Sequence, residues 1–509
     1  MRSADEKFPV ALRAVLSDTG AIGATVRQIA SRLDDTPLRV EAALSRLRRD
    51  GEVLRMGRGL WLLRDFEHLE SREDFADPVE FVDRFRKENG IELDRYSGPI
   101  TFRSNEATPV HRWWPYVQGY SAEFVAGVLS REGLAPGATV LDPFAGSGTT
   151  LVETRRAGLR ALGFELLPPA VLAARVKTNF ELDPEALGDV GQAVADHARR
   201  GRPGPLPFLR ETRRQFAPKV LDDLARIRDA LPPEGHPTAD AARLAFGRIL
   251  IPASRLHRSP CLGYSRSQDP DGPSPLERFR ASIRVMQEDL EHLARERDRW
   301  GPAARVETRD ARAGGAPPRS VDMAVTSPPY VNGMDYVMNY KIDLAWLGYA
   351  RSYADLRALR AAEVACDNLP RSETAGFLAL RELPDPWLTE ILIRMRQNVA
   401  RKGSYRRDDM HAIVHRYFAD LARVLVRVRE ALKPGGRFVL VVGDSLLAGV
   451  YVPGDLILAR IGEKVGFSID SVEVARSRRS GQRRSFALRE SIVTLRRPRR
   501  GSGRPARKR

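Results

Sequence analysis

Cysteine is almost missing from this chain of 509 residues: the two that occur are Cys261 and Cys366, and neither has a second cysteine or a paired histidine at ligand spacing. That argues against a disulfide framework and a structural zinc site, and it fits a reducing compartment. Long apolar runs are missing as well. No stretch reaches the length of about eighteen apolar residues that a membrane span needs, and the N-terminus, MRSADEKFPV, is charged with no apolar segment behind it. Neither a membrane partner nor export is therefore expected, and the expected location is cytoplasmic. Acid is also short, with 66 Asp and Glu against 83 Lys and Arg, a formal net charge of +17. Such an excess points to a polyanionic partner, nucleic acid ahead of a membrane surface. What is present is a globular content of 42% hydrophobic residues, in a chain long enough for two to four structural units.

Residues 1–65 read as one small unit. FPVALRAVLSDTG, TVRQIASRL and TPLRVEAALSRLRRDGEV give three helices, the second capped by Thr25 and the third by Thr36, with Pro37 in its first turn and Gly51 past its end. EVLRMGRGLWLL then reads as two short strands about a Gly/Arg turn. Three helices plus such a hairpin resemble the winged-helix family. That resemblance implies a third helix lying in the DNA major groove, with Arg39, Arg46, Arg48 and Arg49 as the donors to DNA. Residues 66–100 read as a helical connector.

From residue 101 the pattern turns α/β. ATVLDPFAGSGTTLVETRRAGLRALGFELLP is strand, glycine turn, helix and second strand, the opening unit of a doubly wound, Rossmann-like sheet. Residues 181–300 are helical in period and read as an insertion. The sheet pattern resumes over 301–497, interrupted by an Arg-rich helical stretch at 349–412. The tail, 498–509, is basic and of low complexity and is expected to be disordered.

Two stretches carry chemistry. In LDPFAGSGTT, a strand ending at Asp142 runs into Gly146 and Gly148, whose missing Cβ atoms let the backbone approach a ligand before a helix starts at Thr149. The spacing fits neither a dinucleotide G-x-G-x-x-G nor a P-loop. The next strand, RALGFE, ends in Glu165, where a carboxylate can accept hydrogen bonds from ribose hydroxyls. In VTSPPYVNGMDY, a strand-like run stops in Ser327-Pro328-Pro329-Tyr330. Neither proline can donate to a sheet ladder, so the turn is rigid and its carbonyl is free to face a ligand.

DPFAGSGTT followed by TSPPY resembles the S-adenosylmethionine-dependent amino-methyltransferases of DNA, over roughly residues 100–180 and 300–497. The resemblance implies a cofactor site built from Phe124, Asp142, Phe144, Gly146, Gly148, Thr149, Glu165 and Asp310. Phe124 would pack over the methionine end, and Asp310 would accept from the adenine amino group. It implies catalysis by Ser327, Pro328, Pro329 and Tyr330, no metal, and double-stranded DNA as partner. A cognate restriction or defence-system protein is a second partner it leaves open. The hydroxyl of Ser327 and the carbonyl of Pro328 are suited to accept from the N–H groups of an exocyclic amine, and Tyr330 offers a ring for an extruded base. Serine at the first position of this motif leans towards cytosine N4 over adenine N6.

Three further readings stay open: adenine N6 as target, RNA as substrate, and a non-catalytic DNA-binding regulator with a methyltransferase-like body. SPCLGY places Cys261 after a proline, as in enzymes that attack cytosine through a thiolate, but inside the helical insertion and without their second motif. Either insertion could recognise the target, with 181–300 preferred to 349–412.

Overall fold

The structure is a computed structural model of the full chain. It describes residues 4–499 except 20–21, 57–58, 65–77, 117–118, 260, 266–271, 366–368, 370–384, 403–406 and 480–486. The tip of the N-terminal hairpin, Cys366, part of the 349–412 stretch and the tail beyond 499 therefore lie outside the described residues.

The N-terminal unit has helices Ala4–Thr19, Val26–Leu33 and Pro37–Arg49 and a three-stranded sheet of β1 (Ala24–Thr25), β2 (Val53–Met56) and β3 (Leu60–Leu63), in the order β1-β3-β2. The first helix begins earlier than its apolar pattern and carries Pro9 inside it. Thr25 caps the second helix through a reciprocal capping box with Gln28, and Thr36 accepts from the Arg39 amide to cap the third. Leu12, Leu16, Ile29, Val40, Leu44, Leu47, Val53 and Trp61 make its core.

The remaining strands, in chain order, are β4 (Leu93–Arg95), β5 (Thr139–Asp142), β6 (Arg160–Glu165), β7 (Leu256–Arg258), β8 (Leu262–Tyr264), β9 (Arg305–Thr308), β10 (Val321–Thr326), β11 (Leu432–Gly443), β12 (Ser445–Leu447), β13 (Val450–Val452), β14 (Ser468–Arg479) and β15 (Ala487–Arg496). Eight of them form one sheet in the order β4-β14-β15-β11-β10-β5-β6-β9. β5, β6, β9, β10 and β11 run parallel, and β15 is antiparallel to both β11 and β14. Side chains alternate between two cores, as a pleated strand requires. Leu141, Ala324, Phe438, Leu440 and Val442 face one, under helices Pro386–Lys402, Met410–Ala431 and Gly454–Lys464. Val140, Met323, Val325, Val439 and Val441 face the other, against helix Ala122–Glu132. The doubly wound α/β class read from the sequence is thus the observed one.

Strand succession reverses direction at β5, with β6 on one side and β10 on the other. In open α/β sheets the crevice at such a switch point, outside the carboxyl ends of the strands, is where ligands bind.

Two expectations are extended. Residues 66–100 are more than a helical connector: after helix Pro78–Asn89, β4 adds an edge strand parallel to β14. Three residues are too few to show strand alternation. Within the 349–412 stretch, read as polar and Arg-rich, the described residues also include an apolar face. Trp387, Leu388, Ile391, Leu392 and Met395 lie in the main core, an apolar helix face that the arginine count concealed. Residues 181–300 are mainly helical as expected, with the hairpin of β7 and β8 added.

Candidate functional site

The carboxyl ends of β5, β6, β9 and β10 surround a cleft with about 1080 Å³ of empty space, counting its open mouth. Phe144, Gly146, Ser147, Thr149, Glu165, Asp310, Ser327 and Pro329 all line it. Residues from the glycine turn, the second strand end, the Asp310 turn and the proline turn, far apart in sequence, therefore share one wall system. Glycine is required at 146 for two reasons: its φ is +51°, and a Cβ there would come within 2.9 Å of the Tyr116 ring. The Gly146 amide donates to Glu165 Oε2 at 2.8 Å, and the Leu166 and Leu167 amides donate to Oε1 at 2.8 Å each. Burial nevertheless pushes the Glu165 carboxyl up from its ordinary value, against these three bonds. Asp310 is gripped by Arg312, whose amide and guanidinium both donate to it, while Arg312 also reaches Asp420 at 2.9 Å.

Three of the expected cofactor residues sit elsewhere. Asp142 does not line the cleft. Its Oδ1 accepts from the Phe144 amide at 3.0 Å and the Thr326 hydroxyl at 2.6 Å, and its Oδ2 accepts from Thr150 at 2.5 Å and Tyr120 at 2.8 Å. It is buried, and those four donors saturate it, so Asp142 clamps β5 to β10 from behind the site. Phe124 is fully buried between Tyr96 and Tyr120 in the core of the second face. Its segment instead sends Tyr116, Gly119 and Tyr120 into the cleft. Gly148 opens the helix Thr149–Arg156 at φ +88°, 2.9 Å by its would-be Cβ from the Ala174 Cα, and shapes the turn without touching the cleft.

A second, larger cleft of about 2680 Å³ opens on the other side of the proline turn. Tyr116, Gly119, Tyr120 and Ser327 line both clefts, so Ser327 stands in the partition between them. Tyr330 faces the second cleft; Pro328 is buried and lines neither. The Tyr330 ring packs on Gly443, where a Cβ would approach it to 2.9 Å, and its hydroxyl donates to Glu490 Oε1 at 2.6 Å. Glu490 is paired in turn with Arg476 of β14. Burial, then the Glu490 charge, drives the Tyr330 phenol well above its ordinary value, so it stays a donor. Behind the partition, Tyr116 stacks on Tyr336 and Tyr340 with ring centres 6.3 and 5.6 Å apart, and Trp114 lies 5.2 Å from Tyr340.

Sequence reasoning missed Tyr116, Tyr120, Glu490 and Arg476, together with Leu359, Ala362, Glu363 and Val364, which close the first cleft from the 349–412 stretch. The WWPY run was visible as an aromatic cluster. Nothing near Glu490 in the sequence marks it out. Cys261 is exposed and lines the second cleft, within the hairpin of β7 and β8 and away from the proline turn in sequence. Among the described residues no cluster of His, Cys, Asp and Glu could hold a metal, and no helix is long and apolar enough to cross a membrane.

The first cleft fits a nucleoside-bearing cofactor. The Ser147 hydroxyl lines it, buried and without a hydrogen-bond partner among the described residues, and the absence of a side chain at Gly146 lets the Tyr116 ring pack against the turn as part of the wall. A doubly wound sheet with this cleft at its switch point is the architecture of nucleotide-binding enzymes of several classes. Comparison with known proteins narrows that range. The family described as DNA methylase, the N6/N4 type, matches residues 125–175, which span β5, the glycine turn and β6. The Type II methyltransferase M.BsoBI of Geobacillus stearothermophilus is 23% identical over 458 residues, 78% of this chain and 88% of that protein. The Type II methyltransferase M.AvaI of Nostoc sp. is 22% identical over 445 residues, 82% of this chain and 92% of that protein. A solved methyltransferase from Methanosarcina mazei aligns over 73% of this chain and 97% of its own at 10% identity, with a TM-score of 0.25, too low to add to the topology above. The chain is an amino-methyltransferase of the type that modifies DNA, and its cofactor is S-adenosylmethionine.

Proposed function

We infer that the chain methylates an exocyclic amino group in duplex DNA at a specific site, and that the atom is cytosine N4. The observation that carries this reading is the position of Ser327 in the partition shared by the two clefts. When bound, S-adenosylmethionine supplies a methyl group activated on a sulfonium. Glu165 would hold its ribose hydroxyls and Asp310 its adenine amino group, with the turn at Gly146 and Ser147 beneath. The remaining work belongs to the second cleft. An aromatic amine is a poor nucleophile because its lone pair is delocalised into the ring. Acceptance of an N–H hydrogen by the Ser327 hydroxyl favours pyramidal nitrogen and returns that lone pair to it, whereas Pro328, buried and outside both clefts, serves to hold the turn rigid. Tyr330, its ring backed by Gly443 and its hydroxyl tied to Glu490, stacks the extruded base. No covalent link to the protein is needed, so positioning supplies most of the acceleration.

The N-terminal unit is the winged-helix module of this reading, and its third helix adds contacts to DNA. Arg46, Arg48 and Arg49 are exposed along that helix, whereas Arg39 is paired with Asp35 at 2.9 Å and lies over Phe8. Residues 181–300 are the target-recognition region, and the likeness to Type II methyltransferases makes a cognate restriction enzyme the natural partner.

The test is incubation with labelled S-adenosylmethionine and genomic DNA, followed by nucleoside analysis. N4-methylcytosine is the expected product, and N6-methyladenine would move the target atom. Label in RNA alone, or in neither nucleic acid, would overturn the reading. Ser327→Ala should abolish incorporation while cofactor binding persists.

A further inference from the structure

Five arginines line the second cleft: Arg103, Arg248, Arg258, Arg476 and Arg478. Two are committed to the scaffold. Arg258 pairs with Asp343, donates to the Asn339 carbonyl at 3.0 Å and lies 4.2 Å over the Tyr340 ring; Arg476 pairs with Glu490. The other three make no hydrogen bond and no ion pair among the described residues. They come from three separate parts of the fold: Arg103 from the turn Phe102–Glu106, Arg248 from the insertion helix Ala239–Leu250, and Arg478 from β14.

Arg248 is the informative member. It is only partly exposed, yet the acid acting on it, Asp289, already accepts from Val110, Trp113 and both arms of Arg112. Arg112 itself repels it. A half-buried guanidinium beside a saturated carboxylate costs free energy unless an anion arrives to meet it. The acids in the same lining do not serve. Glu490 and Asp335 are taken by Arg476 and Arg360, and Glu106 is exposed and makes no bond to any of the three. What meets the Arg248 guanidinium together with the exposed Arg103 and Arg478, around the cleft that Tyr330 faces, is a chain of singly charged phosphates.

We propose that Arg103, Arg248 and Arg478 form a phosphate clamp that grips the backbone of the strand carrying the extruded nucleotide. The clamp rests on the DNA reading above and adds the residues that hold the strand, from the methyltransferase body and not from the N-terminal unit. Because these contacts are to backbone, they position the strand and carry no sequence information.

The test uses the full chain with Arg103→Gln, Arg248→Gln and Arg478→Gln, singly and together. Cofactor binding measured by calorimetry should match the parent, reporting an intact fold. Affinity for a duplex with the target site and for a scrambled duplex should fall by the same factor. The slope of log affinity against log salt should shrink by roughly 0.9 for each arginine removed, and Arg248→Lys, which keeps the charge, should retain it. A triple variant with the parent's affinity and slope overturns the clamp. So does lost discrimination at a single base pair with the slope unchanged, which would make these residues base readers. If the parent protein binds cofactor but neither duplex, the DNA reading itself fails, and that result is visible before any variant is made.

Discussion

The placement of Glu165, Gly146, Ser327 and Tyr330 around the two clefts was legible because each sits within a few residues of a strand end, where chain direction fixes position. The surroundings of Asp142 were not legible. A carboxylate at a strand end looks the same in sequence whether it meets a ligand or, as here, four donors of its own fold. Glu490 was invisible because only sheet pairing brings β15 beside the turn of Tyr330. Their bond makes a separable prediction. Tyr330→Phe removes one hydrogen bond, worth about 1 kcal/mol, and should lower turnover by less than about tenfold. Tyr330→Ala removes the stacking surface, worth about 1–3 kcal/mol, and should weaken duplex binding by roughly five- to 150-fold in a steady-state assay. A second residue speaks to pH. His411 is buried, and burial, followed by the Arg396 charge, pushes its imidazole down to about 3. The unfolded chain therefore binds a proton that the folded chain refuses between that value and about 6.5. Stability rises with pH through this window and is fully present above it. On this residue's account it should fall by about 1.4 kcal/mol per unit below about pH 6.5. Denaturant titrations across pH should show this dependence flattened in His411→Leu.

Elements with strong local signals were read correctly. The caps at Thr25 and Thr36 hold the helices that their spacing foretold, and the parallel core followed from strand and helix alternation. Failures came where the deciding partner was distant. β4 is defined only by its neighbour β14, and helix Pro386–Lys402 carries its apolar face beneath a coat of arginines. Gly148 shows how one position can govern an element junction. Alanine there must adopt a left-handed backbone, costing about 1–2 kcal/mol, and must also push its Cβ against the Ala174 backbone at 2.9 Å. At Gly133, also left-handed at φ +58°, a Cβ meets nothing within 4 Å. Equilibrium unfolding should therefore place Gly148→Ala below Gly133→Ala in stability, with the cofactor affinity of the former reduced as well.

At the scale of the molecule, the charge excess was the earliest pointer to a nucleic acid, yet it could not say which surface carries it. Arginine is spread along the whole chain, and pairing within the fold decides which guanidiniums remain available. On the N-terminal unit, Arg46, Arg48 and Arg49 are exposed and lie outside both clefts. Replacing all three with alanine should shorten the stretch of DNA protected from nuclease on one flank of the target, while turnover at saturating DNA stays at the parent value. An unchanged footprint would remove that unit from the interface. The partition at Ser327 has a consequence of its own for turnover. On the proposed function, spent cofactor and modified strand would leave through two different clefts that meet at Ser327, so neither would have to wait behind the other to depart. With that geometry the enzyme would be able to reload while still seated on its polymer and pass to a neighbouring site without starting a new encounter.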